Sequence, residues 1–96
     1  MREPLTDTEI EAALSGLPGW AYDGRSLRKT YVLSSFREAV SFIVRIAFDA
    51  EERDHHPELT NVYNRVTVAL TTHDAGDRVT SRDVDLALAI EQFSWV

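Results

Sequence analysis

Residues 35–73 read SFREAVSFIVRIAFDAEERDHHPELTNVYNRVTVALTTH, and a change of period within them decides the fold. Ser35-Phe36-Arg37-Glu38 is a capping-box pattern, a hydroxyl followed three residues on by a carboxylate. Phe36, Ala39, Val40, Ile43, Ile46, Ala47 and Ala50 then recur at helical spacing, and Phe42, Val44 and Phe48 widen the stripe. A helix over 36–53 follows, with Phe36, Phe42 and Phe48 expected in the core. Pro57 stops it from continuing. From Leu59 the period falls to two. Leu59 to Tyr63 and Val66 to His73 read as strands joined at Asn64-Arg65. The second strand puts Val66, Val68 and Leu70 on one face and Thr67, Ala69 and Thr71 on the other.

The flanks extend this pattern in both directions. Upstream, Thr6-Asp7-Thr8-Glu9 is another capping box, and Ile10, Ala13, Leu14 and Leu17 follow at helical spacing. Gly16 and Pro18-Gly19 end that helix, which is expected from about Asp7 to Ser15. Trp20-Ala21-Tyr22, Asp23-Gly24 and Arg25 to Leu33 read as a hairpin, because Asp-Gly tolerates the positive φ of a tight turn. Leu27, Tyr31 and Leu33 share one face, with Arg28 and Thr30 on the other. Lys29 breaks the alternation and suggests a strand near the sheet edge. Downstream, 74–77 reads as a loop. Thr80-Ser81-Arg82-Asp83 opens a last helix, with Asp standing in for Glu. Val84, Ala87, Leu88 and Glu91 fall on one side of it, and Leu86, Ala89, Ile90 and Phe93 on the other.

The order is α-β-β-α-β-β-α. It predicts an α+β fold in which a four-stranded antiparallel sheet carries helices on one face. The other sheet face is left open, so a homo-oligomer, dimer or tetramer, is expected.

Composition narrows the function classes. The 96 residues make one domain, 1–96. The absence of cysteine excludes disulfide scaffolds, thiolate zinc sites and cysteine nucleophiles. Sixteen acidic residues against ten basic ones leave a net charge of −6. The densest basic run, Arg25, Arg28 and Lys29, is too short for a phosphate-backbone footprint, so no direct nucleic-acid partner is expected. No apolar run reaches the ~18 residues of a membrane span. Met1-Arg2-Glu3-Pro4 lacks the apolar centre of a signal peptide. A cytoplasmic protein without membrane contact is the expectation.

The chemistry-bearing residues are His55, His56 and His73. The first two are adjacent where the long helix ends, among Glu51, Glu52, Asp54 and Glu58; Asp74 follows the third. Imidazole, with an unperturbed pKa of about 6.5, gives and takes protons near neutrality. A helix C-terminus and nearby carboxylates both favour its charged form. The pattern suits a general acid/base cluster, against the plainer reading of a solvated helix end. A three-histidine zinc site is the competitor. Adjacent histidines converge poorly on one ion and no His-x-x-x-His spacing exists, so no metal is expected. No Gly-x-Ser-x-Gly elbow or glycine-rich phosphate loop is present.

At these residues the chain resembles the pterin-4a-carbinolamine dehydratases. The resemblance lies in residues 51–58, Asn61-Val62-Tyr63-Asn64, Thr72-His73 and Ser81-Arg82-Asp83. The family pattern is an acid, three residues, His-His-Pro, five residues, an aromatic, nine residues, His, then an Asp. Glu51, His55, His56, Pro57, Tyr63, His73 and Asp83 fall at those spacings. Residues 83–87, Ile90-Glu91-Gln92 and Leu17-Pro18-Gly19-Trp20 are also similar to the family. Leu59-Thr60 departs from it, where many members carry an aromatic.

The resemblance implies dehydration of a 4a-hydroxytetrahydropterin to the quinonoid dihydropterin during pterin recycling, with no cofactor. It implies His55, His56 and His73 as catalytic residues, with His55 and His73 moving protons and His56 orienting the ring. Asp54, His55, His56, Thr71, Thr72, His73 and Asp74 are implied to line the pterin pocket. Glu51 and Asp83 are implied to orient histidines, although Asp83 also sits where a helix cap belongs. The alternative is a non-catalytic interaction module, since some family members steady partner proteins.

Overall fold

The structure, a computed structural model, describes residues 3–94, so the reading of Met1 and Arg2 lies outside it. The elements are α1 (Asp7–Leu14), β1 (Ala21–Tyr22), β2 (Leu27–Val32), α2 (Phe36–Arg53), β3 (Glu58–Val62), β4 (Arg65–Leu70) and α3 (Ser81–Phe93). The strands form one antiparallel sheet in the order β1-β2-β4-β3. The expected α+β architecture is present. Thr6 and Glu9 close the capping box of α1, and Thr80 and Asp83 close that of α3. At α2 the Ser35 hydroxyl accepts from the Glu38 N–H at 3.1 Å.

The core lies between one face of the sheet and the helices. Leu27, Tyr31, Val66, Val68 and Leu70 of the sheet meet Ala39, Phe42, Ile46 and Ala50 of α2 and Leu86, Ala87 and Ile90 of α3. Phe42 is its centre, with ring centroids 4.7 Å from Tyr31 and 6.3 Å from Phe93 in edge-on contacts. The opposite face carries the cross-strand rows Arg28–Ala69–Glu58, Thr30–Thr67–Thr60 and Val32–Arg65–Val62, and among the described residues no helix lies over them.

β2 lies near the sheet edge as expected, because the two-residue β1 pairs with it only at Leu27 and Arg28, while β4 lines its other side. Several other expectations are corrected. Lys29 shares the covered face with Leu27 and Tyr31 and is neutralised there by Glu91 of α3. β2 starts at Leu27 and not Arg25. The Asp23 carboxylate accepts from the N–H groups of Arg25 and Ser26 and holds 23–26 as a loop. The β3–β4 turn is Tyr63-Asn64, one residue earlier than expected, with Tyr63 at φ 52°. β4 ends at Leu70, so His73 is not on a strand; it begins a 3-10 turn, His73–Ala75.

The apolar residues of α2 also divide differently. Phe42 is buried, but Phe36 and Phe48 are exposed and line up with Val40 and Val44 in a second, outward stripe at four-residue steps. On α3 the buried line is Asp83, Leu86, Ala87 and Ile90, which crosses the two expected sides and leaves Leu88 exposed.

At the far end of α3, Glu91 gathers three donors from two segments. Its Oε2 accepts from Lys29 Nζ at 2.7 Å, from Trp20 Nε1 at 3.2 Å and from the Tyr31 hydroxyl. Lys29 Nζ also donates to the Pro18 carbonyl at 2.7 Å. Gly19, at φ +81°, leaves room for that lysine: a Cβ there would come within 2.9 Å of Lys29 Cε. Burial raises the Glu91 pKa, but the bonds from Lys29, Tyr31 and Trp20 outweigh it and hold the carboxyl below the usual glutamate range. Burial, then the bond to Glu91, pushes the Tyr31 phenol above its usual value. A depressed carboxyl adds stability above its unfolded pKa and loses it as pH falls through the folded value. Glu91→Gln is therefore expected to cost about 2 kcal/mol at pH 7, the scale of charge-assisted hydrogen bonds. The deficit should shrink as pH drops below about 4. Urea unfolding of both proteins across that range is the check, and a constant gap would contradict it.

Candidate active site

The site begins with the way α2 ends. Asp54 takes the left-handed conformation, φ 50° and ψ 44°. Its N–H donates to Glu51 O at 3.1 Å and the His55 N–H to Ala50 O at 3.0 Å, the paired bonds of a Schellman stop built without glycine. Arg82 Nη2 donates to Arg53 O at 3.1 Å and Asp54 O at 2.5 Å. A guanidinium thus satisfies carbonyls that the helix leaves open and sits at the negative end of its dipole. The chain then sends His55 inward, 7% exposed, and His56 outward.

Each histidine has its own carboxylate. His55 Nε2 pairs with Asp83 Oδ1 at 2.6 Å, and Asp83 is fully buried. His56 Nε2 pairs with Glu51 Oε1 at 2.8 Å in solvent. His73 Nδ1 pairs with Asp77 Oδ1 at 2.9 Å, and Arg25 Nη2 holds the other Asp77 oxygen at 3.1 Å. The bond from His73 and the support of Arg25 keep the Asp77 carboxyl below the usual aspartate range. Asp83 reconciles its two expected roles by dividing its oxygens. Oδ1 holds His55, while Oδ2 accepts from the Thr80 N–H at 2.8 Å and caps α3.

A cleft of about 300 Å³ brings together Asp54, His55, His56, Thr71, Thr72, His73 and Asp74, and Arg82 joins them. Glu51 and Asp83 do not line it; they lie behind their histidines. A neighbouring cleft of about 490 Å³ shares His56, Thr71 and His73 and is walled by Asp23, Arg25, Arg28, Glu58 and Asp77. His56 and His73 therefore stand between two hollows. Thr71 Oγ1 donates to Arg25 O at 3.1 Å and ties the end of β4 to the β1–β2 loop. The Thr72 hydroxyl faces inward, toward Asp83.

Two contributors escaped the sequence reading. Asp77, not the adjacent Asp74, partners His73, because the 3-10 turn brings the fourth residue back over the ring. Arg82 reaches the end of α2 from the start of α3, a contact no local pattern announces. Among the described residues no group of three or more His, Asp or Glu is placed to hold a metal ion. Among them, too, no helix is long and apolar enough to cross a membrane.

Comparison with known proteins shows the family and the fold. The family model described as pterin 4 alpha carbinolamine dehydratase matches residues 3–93. A candidate pterin-4-alpha-carbinolamine dehydratase of Opitutus terrae is 56% identical over 92 residues, covering 96% of this chain and 95% of that protein. Another, of Rhodopseudomonas palustris, is 53% identical over 92 residues, covering 94% and 90%. A crystal structure from Brucella melitensis, described as a transcriptional coactivator/pterin dehydratase, superposes with a TM-score of 0.88. It has 38% identity and covers 94% of this chain and 97% of that one.

The left-handed turn at Asp54 sets the direction of the histidine pair at a conformational cost of about 1 kcal/mol for a residue with a Cβ. Asp54→Gly is expected to raise stability by roughly 0.5–1 kcal/mol, and the β-branched Asp54→Val to lower it. Chemical unfolding of the three proteins tests that ranking.

Proposed function

This chain belongs to the pterin 4 alpha carbinolamine dehydratase family, a family of hydro-lyases, and from that premise we propose that it dehydrates a 4a-hydroxytetrahydropterin by histidine acid/base catalysis. In the reaction the C4a–O bond breaks, a ring N–H gives up its proton, and the hydroxyl leaves as water. Lone pairs on the ring nitrogens expel the hydroxyl, so proton carriers on the two sides of a flat ring suffice. His55 takes the ring proton through Nδ1, with Asp83 steadying the imidazolium that forms. His73 delivers a proton to the departing oxygen through Nε2, backed by Asp77. His56 orients the ring, and Asp54, Thr71 and Asp74 border it. The observation that carries this reading is that three imidazoles open onto one small cleft, each with a carboxylate behind it.

The reading extends to the cell. The quinonoid product must be reduced before it can serve again, so the enzyme acts in tetrahydropterin recycling, in the cytoplasm. The protein acts as a homo-oligomer. The outward stripe of Phe36, Val40, Val44 and Phe48 and the uncovered sheet face support that, because monomers seldom expose apolar surface so continuously. A second reading, an interaction module on the same fold, is favoured by the coactivator description of the Brucella melitensis protein.

Purified protein is expected to speed the loss of 4a-hydroxytetrahydropterin absorbance, with His55→Ala and His73→Ala each slower by ~10²-fold or more. His56→Ala should act mainly on KM. No acceleration by the wild-type protein would leave the interaction module as the better reading. Light scattering should report a dimer or tetramer, and a stable monomer would remove the oligomer from the proposal.

A further inference from the structure

We propose that Thr72 is a positioning residue for proton transfer at His55, acting through Asp83 and not through the substrate. The inference rests on the role just given to His55 and on counting protons in a closed buried cluster. Asp83, Thr72 and Thr80 are all 1% exposed or less, so no solvent completes their hydrogen bonds. A carboxylate only accepts. Asp83 Oδ1 receives His55 Nε2–H at 2.6 Å. Oδ2 receives the Thr80 N–H and the Thr72 hydroxyl, each at 2.8 Å. Thr72 has one hydroxyl proton and spends it on Asp83. In the 2.7 Å contact between the two threonines, Thr80 must therefore donate. The Thr80 oxygen in turn accepts the Arg82 N–H at 3.2 Å. Every proton has one place: Thr80 to Thr72, Thr72 to Asp83, and His55 to Asp83 from the other side.

That order has a consequence at the cleft. With Oδ2 held by two donors, the Asp83 carboxylate cannot turn, and Oδ1 stays aimed at Nε2. His55 is kept as the Nε2–H tautomer, which leaves Nδ1 without a proton and able to accept one. Without the Thr72 hydroxyl, Oδ2 keeps one donor and the Thr80 hydroxyl loses its acceptor. The carboxylate is then free to rotate. The same residue is fixed through its backbone, since the Thr72 N–H donates to Arg78 O at 2.9 Å and its carbonyl accepts from the Asp77 N–H at 3.1 Å. Those bonds survive side-chain substitution and keep the turn that carries His73. A near-isosteric change at Thr72 therefore isolates the hydroxyl.

The test compares wild type, Thr72→Val and Thr72→Ser, with Thr72→Ala in reserve should the valine variant not fold. ¹⁵N NMR of the resting proteins reads the His55 tautomer, and steady-state assays read kcat and KM. The wild type is expected to show the Nε2–H tautomer alone, and Thr72→Val a mixture of tautomers. Thr72→Val should lose about tenfold in kcat with KM unchanged, the scale of one hydrogen bond to a charged group. Thr72→Ser should match the wild type in both readouts. A wild-type tautomer in Thr72→Val, or a raised KM with unchanged kcat, would overturn the proposal. The NMR arm needs no turnover. A wild-type protein without dehydratase activity would therefore refute the proposed reaction while the spectra still decide the link from Thr72 to His55.

Discussion

One carboxylate, that of Asp83, joins three parts of the chain that are distant in sequence. It closes the N-terminus of α3, receives a hydroxyl from the segment after β4, and takes an imidazole N–H from the residues after α2. Charge buried this deeply is tolerated only when hydrogen bonds surround it. Four residues, His55, Thr72, Thr80 and Asp83, satisfy one another there, so the cluster is costly to open at any single point. The cleft inherits its shape from this joint. His55 is fixed by it directly, and Arg82, one residue earlier on α3, reaches over to hold the end of α2. The turn that aims the histidine pair is therefore braced from both sides.

The opposite end of α3 follows the same logic. Glu91 draws together Lys29, Trp20 and Tyr31, and the apolar core lies between these two polar anchors. A chain of 96 residues has little apolar area to spare. Fastening the last helix at each end by satisfied charges fixes its register on the sheet, which apolar packing alone specifies loosely.

The sequence was legible where the signal is local. Caps and apolar period gave α2 its observed bounds, Phe36–Arg53, and the alternation of Val66, Val68 and Leu70 marked the buried face of β4. His55, His56 and His73 stood out because few other side chains titrate near neutrality. What was misread depended on partners elsewhere in the chain. Lys29 looked out of place on an apolar face because its neutralising Glu91 lies 62 residues away. Phe36 and Phe48 looked like core because period reports a helix face and not which face is covered. Asp77 was passed over for Asp74 because a 3-10 turn, and not a strand end, carries His73. Thr72 borders the cleft as expected, but only the buried cluster shows its hydroxyl turned toward Asp83.

The acid excess of the chain acquires a physical meaning from these pairings. Glu51, Asp77 and Asp83 each stand behind a histidine, in settings that run from solvent to full burial. The side chain of His73 is 96% exposed to water, whereas the His55–Asp83 pair is shielded from it. In the proposed reaction both carriers change state, His55 gaining a proton and His73 losing one, so each turnover ends with a proton to return from the buried imidazole to the exposed one. Carboxylates stand behind both imidazoles, and only one pair is buried.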